Sequence, residues 1–234
     1  EEGEEIQTFS VTSGDVYQVG SEEELAEAAE AIKNSSSSTA TLGLTADVKS
    51  SFPGVVGKAV TVTSAEDCTV DKGYTFTIAK ELVGALTLDH VYVKTNENFA
   101  GIFANGHKFE TTDQFQGEIS HLYGGSSTGK NVTGGTQIVW KGGKVSWLYG
   151  GGLDSNVAGD VQITIDGKNA DIENLFGGGR AQDTGQGRVD GNVTIDFRQG
   201  KTRSAFGGGE NRNTGIEDKD VEPASVTGTV TFNM

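Results

Sequence analysis

One cysteine, two prolines, one methionine and three histidines occur in 234 residues. A lone cysteine, Cys68, makes no internal disulfide and no zinc set. On a β-rich segment it reads as a small buried hydrophobe. His90, His107 and His121 show no metal-ligand spacing. The shortage of proline leaves strand interiors intact, because proline would remove a donor from a sheet ladder. No run is apolar enough to span a membrane, and neither a signal peptide nor a lipid anchor is visible. Hydrophobic residues make up only 34%, which suits a narrow core better than a thick one.

Positive charge is also short. There are 18 Lys and Arg against 33 Asp and Glu, a formal net charge of −15. Residues 1–30 hold ten acids and no base, so −10 lies there and the remaining 23 acids and 18 bases give −5. This distribution gives no support for a basic nucleic-acid surface. It makes no cationic surface for acidic polysaccharides either. The opening "EEGEEIQ" reads as part of an acidic, flexible leader over residues 1–15.

Glycine is what the chain has in excess: 35 of 234 residues, about 15% against a usual ~7%. The stretch Tyr123 to Asn131, "YGGSSTGKN", raises the question of a phosphate-binding loop. It fails on chemistry. Asn131 stands where a Ser or Thr should hold magnesium, "EISHLY" is no buried apolar strand, and "NVTGGTQIVW" is no helix. The glycines instead recur. "LYGGS" at Leu122 returns as "LYGGG" at Leu148, "LFGGG" at Leu175 and "AFGGG" at Ala205, with a degenerate copy, "IFANG", at Ile102. A second element begins at Val132, Val157, Val189 and Val226, with glycines at Gly134, Gly159, Gly191 and Gly228. After each glycine, apolar residues alternate, as in Val161, Ile163 and Ile165, and period two marks half-buried strands. Gly143-Lys144, Gly167-Lys168 and Gly200-Lys201 sit between these elements, where a turn is expected.

Units of this kind bury their apolar sides by stacking, which is the logic of solenoids. Parallel pairing would align Tyr123, Tyr149, Phe176 and Phe206 in one ladder and Ile138, Ile163, Ile195 and Phe232 in another. Glycine's tolerance of positive φ would serve the corners. Earlier alternating stretches at Thr39–Val48, Gly57–Ser64, Tyr74–Ala79 and Leu82–Val93 extend the pattern. Ahead of them, "SEEELAEAAEAIK" predicts a helix over 21–33, with Ser21 and Glu24 as a capping box and Leu25, Ala28, Ala29 and Ile32 on one face. Such a helix would cap the first coil. The fold class is therefore all-β: a single-stranded parallel β-helix (solenoid) with an N-terminal capping α-helix.

The "LYGGG…V-x-G-x-V-x-I" alternation, with "SEEELAEAAEAIK" and "TLGLTADV" ahead of it, resembles the right-handed parallel β-helix segments of adhesin-like surface proteins of Gram-positive gut bacteria. The resemblance covers residues 16–234. It implies right-handedness, secretion or cell-surface attachment, and a longer polypeptide continuing beyond Met234. The first functional reading is a non-catalytic surface module, a stalk or ligand-presenting rod, with a host or dietary glycan or a surface protein as the expected class of partner. No cofactor, metal, nucleic acid or membrane insertion is expected.

Insertions in stacked repeats collect on one side, so the binding face is expected on the loops after the glycine runs: Asp154, Asn156, Arg180, Asp183, Arg188, Glu210, Asn211 and Arg212. Trp140 is the stacking candidate if it faces outward; a core position is its default. The alternative is a polysaccharide lyase or glycoside hydrolase on the same scaffold. A glycosidase needs two facing carboxylates, and Asp160 with Asp190, or Asp166 with Asp196, are the pairs to examine; neither is in matching register, since Asp160 follows its repeat glycine while Asp190 precedes its own, and alternation matches Asp166 with Arg198. Lys130 belongs to none of these groups. Lys130→Ala should therefore change stability by no more than about 0.5 kcal/mol, measured by chemical denaturation, and calorimetry with magnesium-ATP should show no binding by either protein.

Overall fold

The computed structural model describes residues 15–93, 95, 101–183, 186–212 and 224–234. The expected acidic leader lies outside them except for Asp15. The chain is mostly β with one helix. Its elements are β1 (Asp15–Val19), α1 (Glu22–Asn34), β2 (Thr39–Leu44), β3 (Val48–Phe52), β4 (Ala59–Ser64), β5 (Tyr74–Ile78), β6 (Ala85–Leu88), β7 (Val91–Tyr92), β8 (Ile102–Phe103), β9 (Phe109–Thr111) and β10 (Glu118–Tyr123). They continue as β11 (Thr136–Tyr149), β12 (Val161–Phe176), β13 (Arg180–Ala181), β14 (Val193–Phe206), β15 (Glu210–Asn211) and β16 (Val230–Asn233).

The pairings between these strands are parallel. The large sheet is ordered β1-β2-β4-β6-β9-β11-β12-β14-β16, with β10 and β8 joined at its side, so chain order and sheet order agree. Smaller sheets form from β3-β5-β7 and from β13-β15. Both expected ladders are in register: Tyr123↔Tyr149↔Phe176↔Phe206, and Ile138↔Ile163↔Ile195↔Phe232. "IFANG" belongs with the first, since Phe103 pairs with Tyr123.

Alternation explains the core. Val161, Ile163 and Ile165 of β12 are buried while Gln162 is exposed. One apolar cluster runs from Val19 to Ile195, and a separate aromatic cluster holds Phe103, Tyr123, Tyr149 and Phe176. Helix α1 starts where its sequence dictates. The Ser21 side chain accepts from the Glu24 N–H at 3.1 Å, and the Glu24 carboxylate reaches back to the Gly20 N–H at 2.7 Å. Leu25, Ala28 and Ile32 are buried, and the helix packs against β1 and β3.

Three local expectations need correction. The glycine runs are not positive-φ corners: Gly124, Gly150 and Gly177 are absent from the left-handed region. Space is the reason for glycine there. The ladder runs on through these runs, with the Gly150 N–H donating to Phe176 O and the Gly177 N–H to Phe206 O. A Cβ on Gly150 would lie 2.3 Å from Gly177 O, and one on Gly177 2.3 Å from Gly207 O. The Gly-Lys pairs do not end strands either. β11, β12 and β14 continue through them, because pairing with a parallel neighbour resumes beyond each; the kink is absorbed as register shifts between Trp140/Gly142 and between Asp166/Asp171. Gly143 takes φ 77°, and its carbonyl accepts the Trp140 indole N–H at 3.1 Å. Finally, Cys68 is only half-buried and sits in a turn outside the core, its thiol 3.8 Å from Val70 O.

These contacts separate glycines that crowd a backbone from glycines that do not. Gly150→Ala should cost about 3 kcal/mol, since a methyl would force neighbouring backbones apart. At Gly134 a Cβ would have nothing within 4 Å, and φ is not left-handed, so Gly134→Ala should stay within about 1 kcal/mol of the parent. Urea unfolding of the two variants checks this contrast.

Candidate ligand-binding face

Strands β10, β11 and β12 end in Leu-Tyr, Leu-Tyr and Leu-Phe, and adjacent residues point to opposite sides. Leu122, Leu148 and Leu175 enter the main core, while Tyr123, Tyr149 and Phe176 enter the aromatic cluster. The rings stack face to face along the ladder. Centroid separations are 4.9 Å for Phe103–Tyr123, 4.8 Å for Tyr123–Tyr149, 5.0 Å for Tyr149–Phe176 and 4.8 Å for Phe176–Phe206. Those values follow the ~4.8 Å spacing of paired strands.

The segments after the glycine runs meet these rings. Leu153 packs on the cluster. Arg180 Nη1 donates to the Tyr123 hydroxyl oxygen at 3.4 Å, and the Tyr149 hydroxyl donates to the Glu210 carboxylate. Arg180 Nε lies 3.3 Å from Glu210 Oε2, close enough for charge attraction but outside hydrogen-bond alignment, so that buried N–H has no hydrogen-bond acceptor among the described residues. Arg212 donates from Nε to Glu210 Oε1 at 2.7 Å. Its guanidinium lies 5.3 Å from the centre of the Trp147 ring. Trp147 in turn stacks on His121, 6.1 Å away and 9° from parallel. Two arginines, one carboxylate, an indole and an imidazole thus share a half-exposed face.

Burial and the neighbouring guanidiniums set its electrostatics. The His121 pKa is lowered to about 4, first by burial and then by the Arg180 charge, with Arg212 acting in the same direction and Glu210 against it. His121 is therefore neutral near pH 7, with Nδ1 2.8 Å from Ser120 Oγ. The Tyr149 hydroxyl is pushed well above its ordinary value by burial and by its bond to Glu210. Burial also raises Tyr123. These groups act as hydrogen-bonding and stacking surfaces.

Of the residues expected on the loop face, Arg180, Glu210 and Arg212 converge here. Asp154 is buried at 1% exposure and holds the chain in a left-handed bend of φ 48°, its carboxylate accepting the Gln182 and Asp183 N–H groups at 2.8 and 3.0 Å. Asn156 Oδ1 accepts the Gly187 and Arg188 N–H groups at 3.1 and 3.0 Å. Asp183 and Asn211 are exposed, and Arg188 pairs with Asp190 at 2.6 Å. Trp140 is wholly buried and stacks on Phe109. His121 and Trp147 fall outside the expected loop face because they lie on strands. A signal for them existed: the position two before each ladder aromatic reads His121, Trp147, Asn174, Ser204, and these four align in register.

The acid pairs are occupied. Asp160 accepts the Asn192 N–H at 2.7 Å, and Asp190 holds Arg188. Arg198 reaches Asp166 at 3.4 Å and Asp196 at 4.0 Å, so a guanidinium joins the second pair. Among the described residues, no three His, Cys, Asp or Glu side chains are grouped as a metal set. Lys130 is exposed, 3.8 Å from Glu81, and the neighbouring Ser127 hydroxyl donates to the same carboxylate at 2.6 Å. No protein-family model, curated protein or solved structure matches the chain.

A histidine with a depressed folded pKa contributes stability above its unfolded value near 6.5 and loses it as pH falls toward 4. His121 is partly solvent-accessible, so the loss is discounted to about 1–2 kcal/mol. Denaturation at pH 7 and pH 4.5 should show a larger drop for the parent than for His121→Gln, which titrates no group at that position.

Proposed function

We propose that the chain is a right-handed parallel β-helix capped by α1 and that it serves as a non-catalytic module of a secreted or cell-surface bacterial protein. In-register parallel pairing of strands in chain order supports the coil reading. The packing of α1 on β1, at one end of the sheet, supports the cap. The resemblance to adhesin-like surface proteins supplies the cellular setting.

The module binds a glycan or a protein surface through the face built from Arg212, Trp147, His121 and the Arg180–Glu210 pair. One observation carries this reading: Arg212 is fixed through Nε to Glu210 and laid over Trp147, a pre-set guanidinium at the rim of an aromatic face. Its Nη groups donate to no other described residue, and in this reading they engage carboxylate or hydroxyl oxygens of a partner. Trp147 is flanked by the His121 ring and carries the Arg212 guanidinium over its own ring, so the partner meets a guanidinium and ring edges together.

A glycan array and a pull-down of surface proteins would identify the partner. Arg212→Ala and Trp147→Ala should each weaken its binding roughly tenfold, while Arg188→Ala, paired to Asp190, should leave it unchanged. Binding indifferent to all three would place the partner elsewhere. Release of reducing or unsaturated sugars from any glycan tested would overturn the non-catalytic reading.

A further inference from the structure

The smaller sheet β3-β5-β7 is flanked by an open groove of about 710 Å³, lined among others by Asp47, Lys49, Lys72, Tyr74, Thr75 and Tyr92. Strand register explains part of the grouping. Thr75 and Tyr92 are paired across β5 and β7, and the Thr75 N–H donates to Asp47 Oδ1 at 2.7 Å. Lys72 Nζ sits 4.9 Å from the centre of the half-buried Tyr92 ring, within cation–π range. The turn that brings Lys72 there is held in place. Gly73 takes φ 74°, and a Cβ on it would lie 2.1 Å from His90 O. The Asp71 carbonyl accepts from the Gln116 side-chain amide at 3.2 Å and lies 3.2 Å from His90 Nε2. Lys49 and Lys72 are exposed and form no ion pair with a described residue, unlike Lys108, Lys141, Lys144 and Lys201.

We propose that this groove is a second binding site, for a carboxylated saccharide, separate from the face around Arg212. The inference stands independently of that face, with which it shares no residue. Lys49 and Lys72, free of intramolecular carboxylates, supply the charge for the sugar's carboxylate. Thr75, Tyr74 and Tyr92 supply hydroxyls, and the second oxygen of Asp47 accepts from no described residue, a set suited to exchange hydrogen bonds with sugar hydroxyls. Asp47 is the one acid lining the groove; Asp67 and Asp71, on the same turn as Lys72, do not line it. Its charge disfavours a densely anionic ligand such as a nucleic acid, since juxtaposed like charges are costly. Val70 is the one large apolar side chain at the rim, 45% exposed, too little for the apolar centre of a protein interface. The net charge of −15 gives no sign of this site, because the fold gathers two lysines locally while ten acids lie in residues 1–30.

Two probes separate the sources of such a group: trigalacturonate for uronates and sialyllactose for sialosides, each compared with a neutral counterpart, galactotriose and lactose. NMR titration of the full chain should show at least one acidic sugar binding in the millimolar range or tighter. The perturbed amides should lie at residues 46–49, 70–75 and 92, and the neutral sugars should bind roughly tenfold more weakly. Lys49→Gln combined with Lys72→Gln should weaken binding roughly tenfold, with the rest of the spectrum unchanged because both side chains are exposed. Arg212→Ala should leave it unchanged, so loss of the Arg212 face and loss of this groove are read separately. Absence of binding by both acidic sugars overturns the proposal. So does equal binding of acidic and neutral sugars, binding insensitive to the two lysines, or a set of perturbed amides centred on Trp147 and Arg212.

Discussion

Close approach of one backbone to the next, at the spacing of paired parallel strands, is the constraint on which the molecule depends. Gly124, Gly150 and Gly177 each face a carbonyl of the following glycine run at 2.3–2.4 Å from where a Cβ would sit. With side chains there, the runs would be forced apart. The rings immediately before them would then lose the 4.8–5.0 Å separation at which they stack. Glycine and aromatic are thus two parts of one device. The glycine removes a side chain where backbones must touch, and the aromatic fills the space beside it.

The same device builds the candidate face. Because the edges of the stacked rings meet the segments that follow the glycines, two tyrosine hydroxyls come to lie inside the protein. A buried hydroxyl needs a partner, and Arg180 and Glu210 provide it. Their charges then shape the surroundings: Arg180 helps burial hold His121 neutral, and Glu210 anchors Arg212 over Trp147. A structural requirement at the end of each strand therefore produces a charged, aromatic surface just outside it. Polar residues after the glycine runs divide between two tasks. Asp154 and Asn156 commit oxygens to backbone N–H groups of the next segment, while Arg212 keeps donors free of the described residues.

Much of the architecture was legible in the sequence. Period-two alternation located the strands, the Ser21–Glu24 pair located the helix start, and recurrence of the aromatic-glycine element placed Tyr123 against Tyr149 and Tyr149 against Phe176. All three signals are local or repetitive, so they survive being read in one dimension. The glycine runs stand out equally well, but their cause does not: a φ requirement and a space requirement leave the same letter in a sequence. Gly143 shows the first and Gly150 the second. The Gly-Lys pairs suggested strand ends for a similar reason, since only neighbouring strands can carry a ladder across a kink.

The candidate face was half legible. Arg180, Glu210 and Arg212 were marked by their place after the glycines, but Arg188, from the same reasoning, turned to Asp190 instead. Which loop residues meet is decided by how two chain segments, Arg180 and Glu210 among them, lie beside each other in the stack. His121 and Trp147 joined them because side chains two apart on a strand emerge beside the same ring ladder. By itself the sequence determined the parallel-strand alphabet of this protein: alternation, glycine, ring and helix cap each act through neighbouring residues or through recurrence. Only the tertiary structure decided which charges face one another, because ion pairs and stacked cations depend on distances across the fold that no local spacing encodes.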